Sequence, residues 1–313
     1  MTDQKLDQVL DRLDAGLPAA LDRLMEFVRI PSISTDPAHD SDVFDAATWL
    51  TDQLRDIGFA AEIRETDGHP MVVASSLEGP ERTLLFYGHY DVQPVDPLAL
   101  WNTPPFEPSI EETPDGPVIR GRGTSDDKGQ LMTFLEACRA WKAVHGELPR
   151  GLTLLFEGEE ESGSPSLVPF LEANRDELSQ SLALICDTGR AADGRPAIAT
   201  QLRGLVGEEI VVRGADRDLH SGSFGGLAAN PIQILCNALA GLKDANGRVT
   251  LPGFYDGVED LSDDLRRDWE ALSFDASEFL SRVGLSQPIG EAGRTGLEMI
   301  WNQPTAEING ITG

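Results

Sequence analysis

TLLFYGHYD, from Thr83 to Asp91, is an apolar run that ends on a histidine and an aspartate. TLLFY is apolar on both faces, which suits a central strand covered by helices on both sides. In extended chain His89 and Asp91 share a face. A histidine that binds metal through one ring nitrogen usually gives its other N–H to a carboxylate. GHYD therefore supplies a ligand and its orienting acid together, although a surface histidine beside an acid has the same pattern.

The same arrangement recurs downstream. Leu152–Phe156 is an apolar strand leading into EGEEESGS (Glu157–Ser164), and Leu182–Ile185 leads into CDTG (Cys186–Gly189). GRGTSDDKGQ (Gly121–Gln130) precedes residues 128–144, whose apolar positions follow helical spacing. That loop has no GxxxxGK[ST], and Asp126-Asp127 at its centre repels phosphate, so a cation suits it better. Asp126 is the candidate ligand, with a plain helix N-cap at Asp126 or Asp127 as the alternative. In EGEEE, adjacent carboxylates are costly unless solvated or neutralised by a cation. One can bind metal while its neighbour acts as general base. Asp187 gains weight only from the other three motifs.

Outward from these strands, residues 3–29 read as an amphipathic helix bent or broken near Pro18. RIPSIS (Arg29–Ser34) leaves that helix, and a second helix follows, with its stop at Gly58. Ala60–Glu65 and Met71–Ser75 are strand candidates. A Pro-, Asp- and Glu-rich loop runs to about residue 117. Ser164-Pro165 reads as an N-cap and first helical residue, Gly207–Arg213 as a half-exposed strand, and Asn230-Pro231 as a helix start. Alternating strands and helices predict an α/β fold with a mostly parallel central sheet and helices on both faces.

The 313 residues carry 53 acids against 25 bases, a formal charge of −28. That excludes a basic nucleic-acid footprint and docking on anionic membranes, and most of the acidity reads as solvated surface. No apolar run reaches the ~20 residues of a membrane span, and the acidic N-terminus is unlike a signal peptide. The three cysteines, without CxxC spacing, predict reduced thiols in a cytoplasmic protein.

The chain resembles the co-catalytic zinc metallopeptidases that include carnosinase-like dipeptidases, glutamate carboxypeptidase, and the acetylornithine and succinyl-diaminopimelate deacylases. The resemblance runs through RIPSIS, GHYDVQP, WNTPPFEP, GRGTSDDKG, EGEEESGS, RDLHSGSFGG and NPIQIL. WNTPPFEP and DLHSGSFGG favour the dipeptidase branch. It implies two zinc ions, with manganese or cobalt as substitutes. His89 and Asp187 would serve one zinc, Glu161 the other, and Asp126 would bridge both. Asp91 would orient His89, and Glu160 would be the general base for a metal-activated water. The substrate would be a dipeptide or short peptide, with N-acyl-amino-acid deacylation or carboxypeptidase action as alternatives. His220 would reach the partner subunit's active site in a homodimer and stabilise the oxyanion, although a histidine in a Ser/Gly turn is commonly structural.

The resemblance also implies a catalytic domain over 1–203 and an α+β lid, or dimerisation domain, over 204–313. EINGITG (Glu307–Gly313) falls inside that lid, before the expected last histidine ligand of the second zinc. The expectation is a piece of a longer enzyme, a subunit completed by a partner chain, or a short inactive relative.

Overall fold

The computed structural model describes residues 3–76, 82–114, 116–189 and 197–312. They divide into two compact units between Thr188 and Gly189.

The first unit opens with α1 (Asp3–Val28) and α2 (Asp40–Ile57), then β1 (Phe59–Arg64), β2 (Met71–Ser76) and β3 (Arg82–His89). A hairpin of β4 (Ser109–Thr113) and β5 (Gly116–Arg120) precedes α3 (Lys128–His145) and β6 (Gly151–Glu157). Two short helices, α4 (Leu167–Ala173) and α5 (Arg175–Leu178), lead to β7 (Leu182–Ile185).

The sheet order is β1-β2-β6-β3-β7. β3 runs parallel to both β6 and β7, while β2 is antiparallel to both β6 and β1. Four of the five strands therefore point the same way, and only β2 is reversed. The carboxyl ends of β6, β3 and β7 share one edge, where open α/β sheets carry their sites.

Both faces of the sheet are covered. On one, Phe27, Leu50, Leu54, Leu131 and Leu135 from α1, α2 and α3 pack against Phe86, Leu154 and Phe156. On the other, Phe170 and Leu178 cover Met71, Val73 and Leu155. β6 is buried at every position, as its apolar run predicts. β7 is exposed at all four positions and, among the described residues, pairs only with β3, at the sheet edge.

Phe86 lies at the centre of the larger core, stacked on Phe134 at 3.9 Å and tilted against Phe156 at 5.7 Å. Phe86→Ala should destabilise this unit by about 3–5 kcal/mol, read as a lower urea midpoint for its unfolding.

Four local expectations change. α1 is not broken at Pro18 but runs through it as one helix. It is tied to α3 on both sides of the proline, by His145 to the Lys5 carbonyl at 3.2 Å and by Arg23 to Glu136 at 2.6 Å. The start of α4 lies after Ser166, not Ser164. Ser164 takes φ +52° and spends its hydroxyl on Glu157 at 3.1 Å, so it caps nothing. The Pro-rich loop contains the β4–β5 hairpin. Gly207–Arg213 forms no ladder with any described residue, which leaves Ile210 and Val211 exposed. Alternation alone does not make a strand without a neighbour to complete its backbone bonds.

Gly58 ends α2 as expected, at φ +97°. That left-handed conformation costs other residues a Cβ clash.

The second unit holds α6 (Ser221–Phe224), α7 (Pro231–Ala240), α8 (Asp263–Glu270) and α9 (Ala276–Ser281). Asn230 caps α7 by accepting from the Gln233 N–H at 3.1 Å. Buried Glu298 anchors this unit by accepting from Arg266 at 2.7 Å. No helix among the described residues is long and apolar enough to cross a membrane.

Candidate metal centre

His89 is the last residue of β3 and sits opposite Glu157, the last residue of β6. Asp187 follows β7 by two residues, and Asp126 lies in the loop that opens α3. Parallel pairing thus collects three separate sequence motifs at one sheet edge. His89 Nε2 is 3.0 Å from Asp126 Oδ1, and 4.0 Å from both Asp187 Oδ2 and Glu160 Oε2. Donor atoms of His89, Asp126 and Asp187 all lie within 4.8 Å of one another.

The other ring nitrogen faces Asp91. Nδ1 is 3.3 Å from Asp91 Oδ1 and 3.2 Å from the Asp91 carbonyl. The same carboxylate accepts the Glu160 and Glu161 backbone N–H groups at 3.2 and 3.0 Å. Asp91 therefore orients the ring and also holds the glutamate turn against it, a second task that spacing did not show.

The glutamate run sorts into two pairs. Glu157 and Glu159 are buried. Glu157 accepts from the Tyr87 and Ser164 hydroxyls, and Glu159 accepts the His69 and Ser166 N–H groups at 2.7 and 3.0 Å. These two build the turn. Glu160 and Glu161 remain partly exposed beside the cluster, and Glu161 accepts from Gln93 at 2.7 Å.

Sequence reasoning left Asp127 as a possible cap. It occupies the cap position of α3 but makes no capping bond. Instead its buried Oδ2 accepts the His89 N–H at 3.1 Å, and Oδ1 is buried without a partner among the described residues. A signal was present in Gly88: a Cβ there would stand 2.9 Å from Asp127 Oδ2.

The remaining histidines have other partners. His39 pairs with Asp42 at 2.6 Å, His69 with the Ser34 carbonyl at 3.0 Å, and His145 with α1. His220 lies in the second unit, exposed, at the cap position of α6.

The cluster is short of positive charge. Burial disfavours a charged His89, but Asp91, Asp127 and Glu160 outweigh it and raise its pKa to about 10. Burial pushes Asp127 up to about 8. Glu160, Glu161 and Asp187 are raised as well, first by burial and then by neighbouring acids. One imidazole among so many carboxylates could hold a divalent cation. The orphaned oxygen of Asp127 marks the same deficit.

A pH dependence follows for the metal-free chain. His89 has its folded pKa above the unfolded value of about 6.5. Its contribution to stability is then fully present below about 6.5 and lost as pH rises through about 10. Melting temperatures of chelator-treated protein across that range should fall, and His89→Gln should flatten the fall.

A family model described as peptidase family M20/M25/M40 matches residues 85–309. A Cys-Gly metallodipeptidase, DUG1 of Candida albicans, is 30% identical over 98% of this chain and 66% of its own length. The chain thus spans about two thirds of the length of this relative. The structure of the dipeptidase Dug1p from Saccharomyces cerevisiae superposes with a TM-score of 0.77 at 27% identity, covering 97% of this chain and 66% of the other. An M20 family metallo-carboxypeptidase from Sulfolobus solfataricus, Sso-CP2, superposes at 0.75 with 32% identity, covering 94% and 66%. The family match extends from the middle of β3 to the last residues of the second unit and takes in the edge where His89, Asp126 and Asp187 converge. On that evidence the chain belongs to peptidase family M20/M25/M40.

Proposed function

We propose that this protein hydrolyses the peptide bond of dipeptides or short peptides in a metal-dependent reaction. The observation that carries the reading is the meeting of His89, Asp126 and Asp187 donor atoms, with Glu160 Oε2 4.0 Å from the same histidine nitrogen. His89, Asp126 and Asp187 would hold one zinc, and Asp126 would share its carboxylate with a second held by Glu161; manganese or cobalt are the alternatives. When bound, the metal supplies Lewis acidity that polarises the carbonyl and lowers the pKa of water.

The chain's own residues supply the rest. Asp91 keeps the His89 tautomer with Nε2 free for a ligand bond. Glu160 takes a proton from the attacking water and returns it to the leaving amine. Its raised pKa suits a base that works near neutral pH.

The domain reading, with 1–203 catalytic and 204–313 a lid that forms a homodimer, belongs to the same proposal. So does His220 as the oxyanion donor to the partner subunit. Free Cys138, Cys186 and Cys236 support a reducing, cytoplasmic location.

The resemblance to the Sulfolobus carboxypeptidase favours a second reading, in which longer peptides or acylated amino acids are cleaved. Dipeptides, longer peptides and N-acyl amino acids assayed with zinc, manganese or cobalt separate the two. Turnover of dipeptides above the others supports the first. No hydrolysis of any, with metal bound, would overturn both readings for this chain.

A further inference from the structure

RIPSIS has no part in the chemistry above, yet its backbone holds both chain stretches that carry the site. Lys128 is the first residue of α3, two beyond Asp126, and is fully buried. A cation at a helix N-terminus stands at the unfavourable end of the dipole, and a buried one needs partners. Its partners belong to the end of α1 and the turn that follows it. Lys128 Nζ donates to the Phe27 carbonyl at 3.0 Å and the Ile30 carbonyl at 2.7 Å, and lies 4.7 Å from the centre of the Phe27 ring. The carboxyl end of α1 is where a cation is favoured.

Two residues further on, the same segment grips the other side of the site. Ser32 is fully buried; its hydroxyl donates to the Tyr90 carbonyl at 2.7 Å, and its carbonyl accepts the Val92 N–H at 2.9 Å. Ile33 bridges to Val92 in parallel. Tyr90 and Val92 flank Asp91, the residue that orients His89. Pro31 stiffens the link between the two grips.

We propose that Phe27–Ile33 is a clamp that sets the spacing of His89 and Asp126, with Lys128 and Ser32 as its positioning residues. It joins the loop bearing Asp126 to the strand end bearing His89 and Asp91, so that the 3.0 Å approach of Nε2 to Oδ1 is preset. The clamp rests on the metal reading of that pair.

The test uses the full chain, stripped of metal and titrated with Co2+ followed by visible absorption. Ser32→Ala and Lys128→Met should each weaken Co2+ binding by about 10- to 100-fold, the range seen when a ligand's outer partners are lost. Together they should weaken it by less than the product of the single effects, because either one opens the same clamp. Leu148→Ala, which removes a buried core side chain elsewhere, should lower the melting temperature and leave Co2+ affinity unchanged.

Folded Ser32→Ala or Lys128→Met protein that binds Co2+ within about twofold of wild type, losing only thermal stability, would reduce both residues to fold staples and overturn the clamp. Where Lys128→Met does not fold, Ser32→Ala decides alone. Wild-type protein that takes up no Co2+ overturns the metal reading and the clamp together; wild-type uptake with unchanged variants overturns the clamp alone.

Discussion

Glu160→Gln is expected to keep its metal and lose about 100- to 10,000-fold in turnover, the usual contribution of a positioned general base. The substitution preserves size and the backbone N–H that Asp91 accepts at 3.2 Å, so the glutamate turn should stay in place. What disappears is the carboxylate proposed to carry the proton. Metal content is the discriminating measurement. Retained metal with collapsed turnover separates Glu160 from the ligands. Metal lost in parallel with turnover would make Glu160 a ligand and move the base to Glu161, whose carboxylate is also partly exposed at the cluster. The structure favours Glu160 because Oε2 reaches to 4.0 Å from His89 Nε2, whereas Glu161 is engaged by Gln93.

Asp126→Asn should have the opposite signature: metal goes first and activity follows. Asp126 is the nearest carboxylate to His89 Nε2, and its own side chain is otherwise open to solvent. An amide of the same shape keeps one weak oxygen donor and removes the charge. Loss of an outer partner costs about 10- to 100-fold in metal affinity; removal of a ligand should exceed that range. If Asp126 serves two ions, metal per chain should fall from two to below one in elemental analysis. A variant that still binds two would remove Asp126 from the bridging position. Because the side chain is exposed, the melting temperature of the metal-free variant should hardly change, which separates metal loss from unfolding.

Much of this site is legible in the chain because each strand that builds it is short, apolar and followed at once by its functional residue. His89 is the last residue of a strand, and Asp187 stands two beyond one, so reading the strands reads the candidate ligands. The parallel directions of β6, β3 and β7 then follow from helices between strands, and place all three motifs at one edge. Which acids of EGEEE are buried and spent on the fold was not legible. Glu157 and Glu159 differ from Glu160 and Glu161 only in the donors they meet. Those donors, Tyr87, Ser164, Ser166 and His69, come from distant positions or from a turn with an unexpected backbone. Asp127 and Lys128 were hidden for a related reason. In the sequence they are a possible cap and the first residue of a helical run, and only packing shows both of them buried.

By itself, the sequence determined the strand and helix order of the first unit apart from the β4–β5 hairpin, the identity of the candidate ligands His89, Asp126 and Asp187, and the resemblance that places them in a metallopeptidase family. These depend on local pattern and on side-chain chemistry, which neighbours in the chain carry. The tertiary structure decided which acids are buried and satisfied, which are left to face His89, and that RIPSIS spans Lys128 and Tyr90. The physical reason is that a carboxylate's role depends on the donors and charges within about 4 Å, where desolvation and hydrogen bonding act. At this sheet edge those partners come from residues up to 90 positions away in the chain.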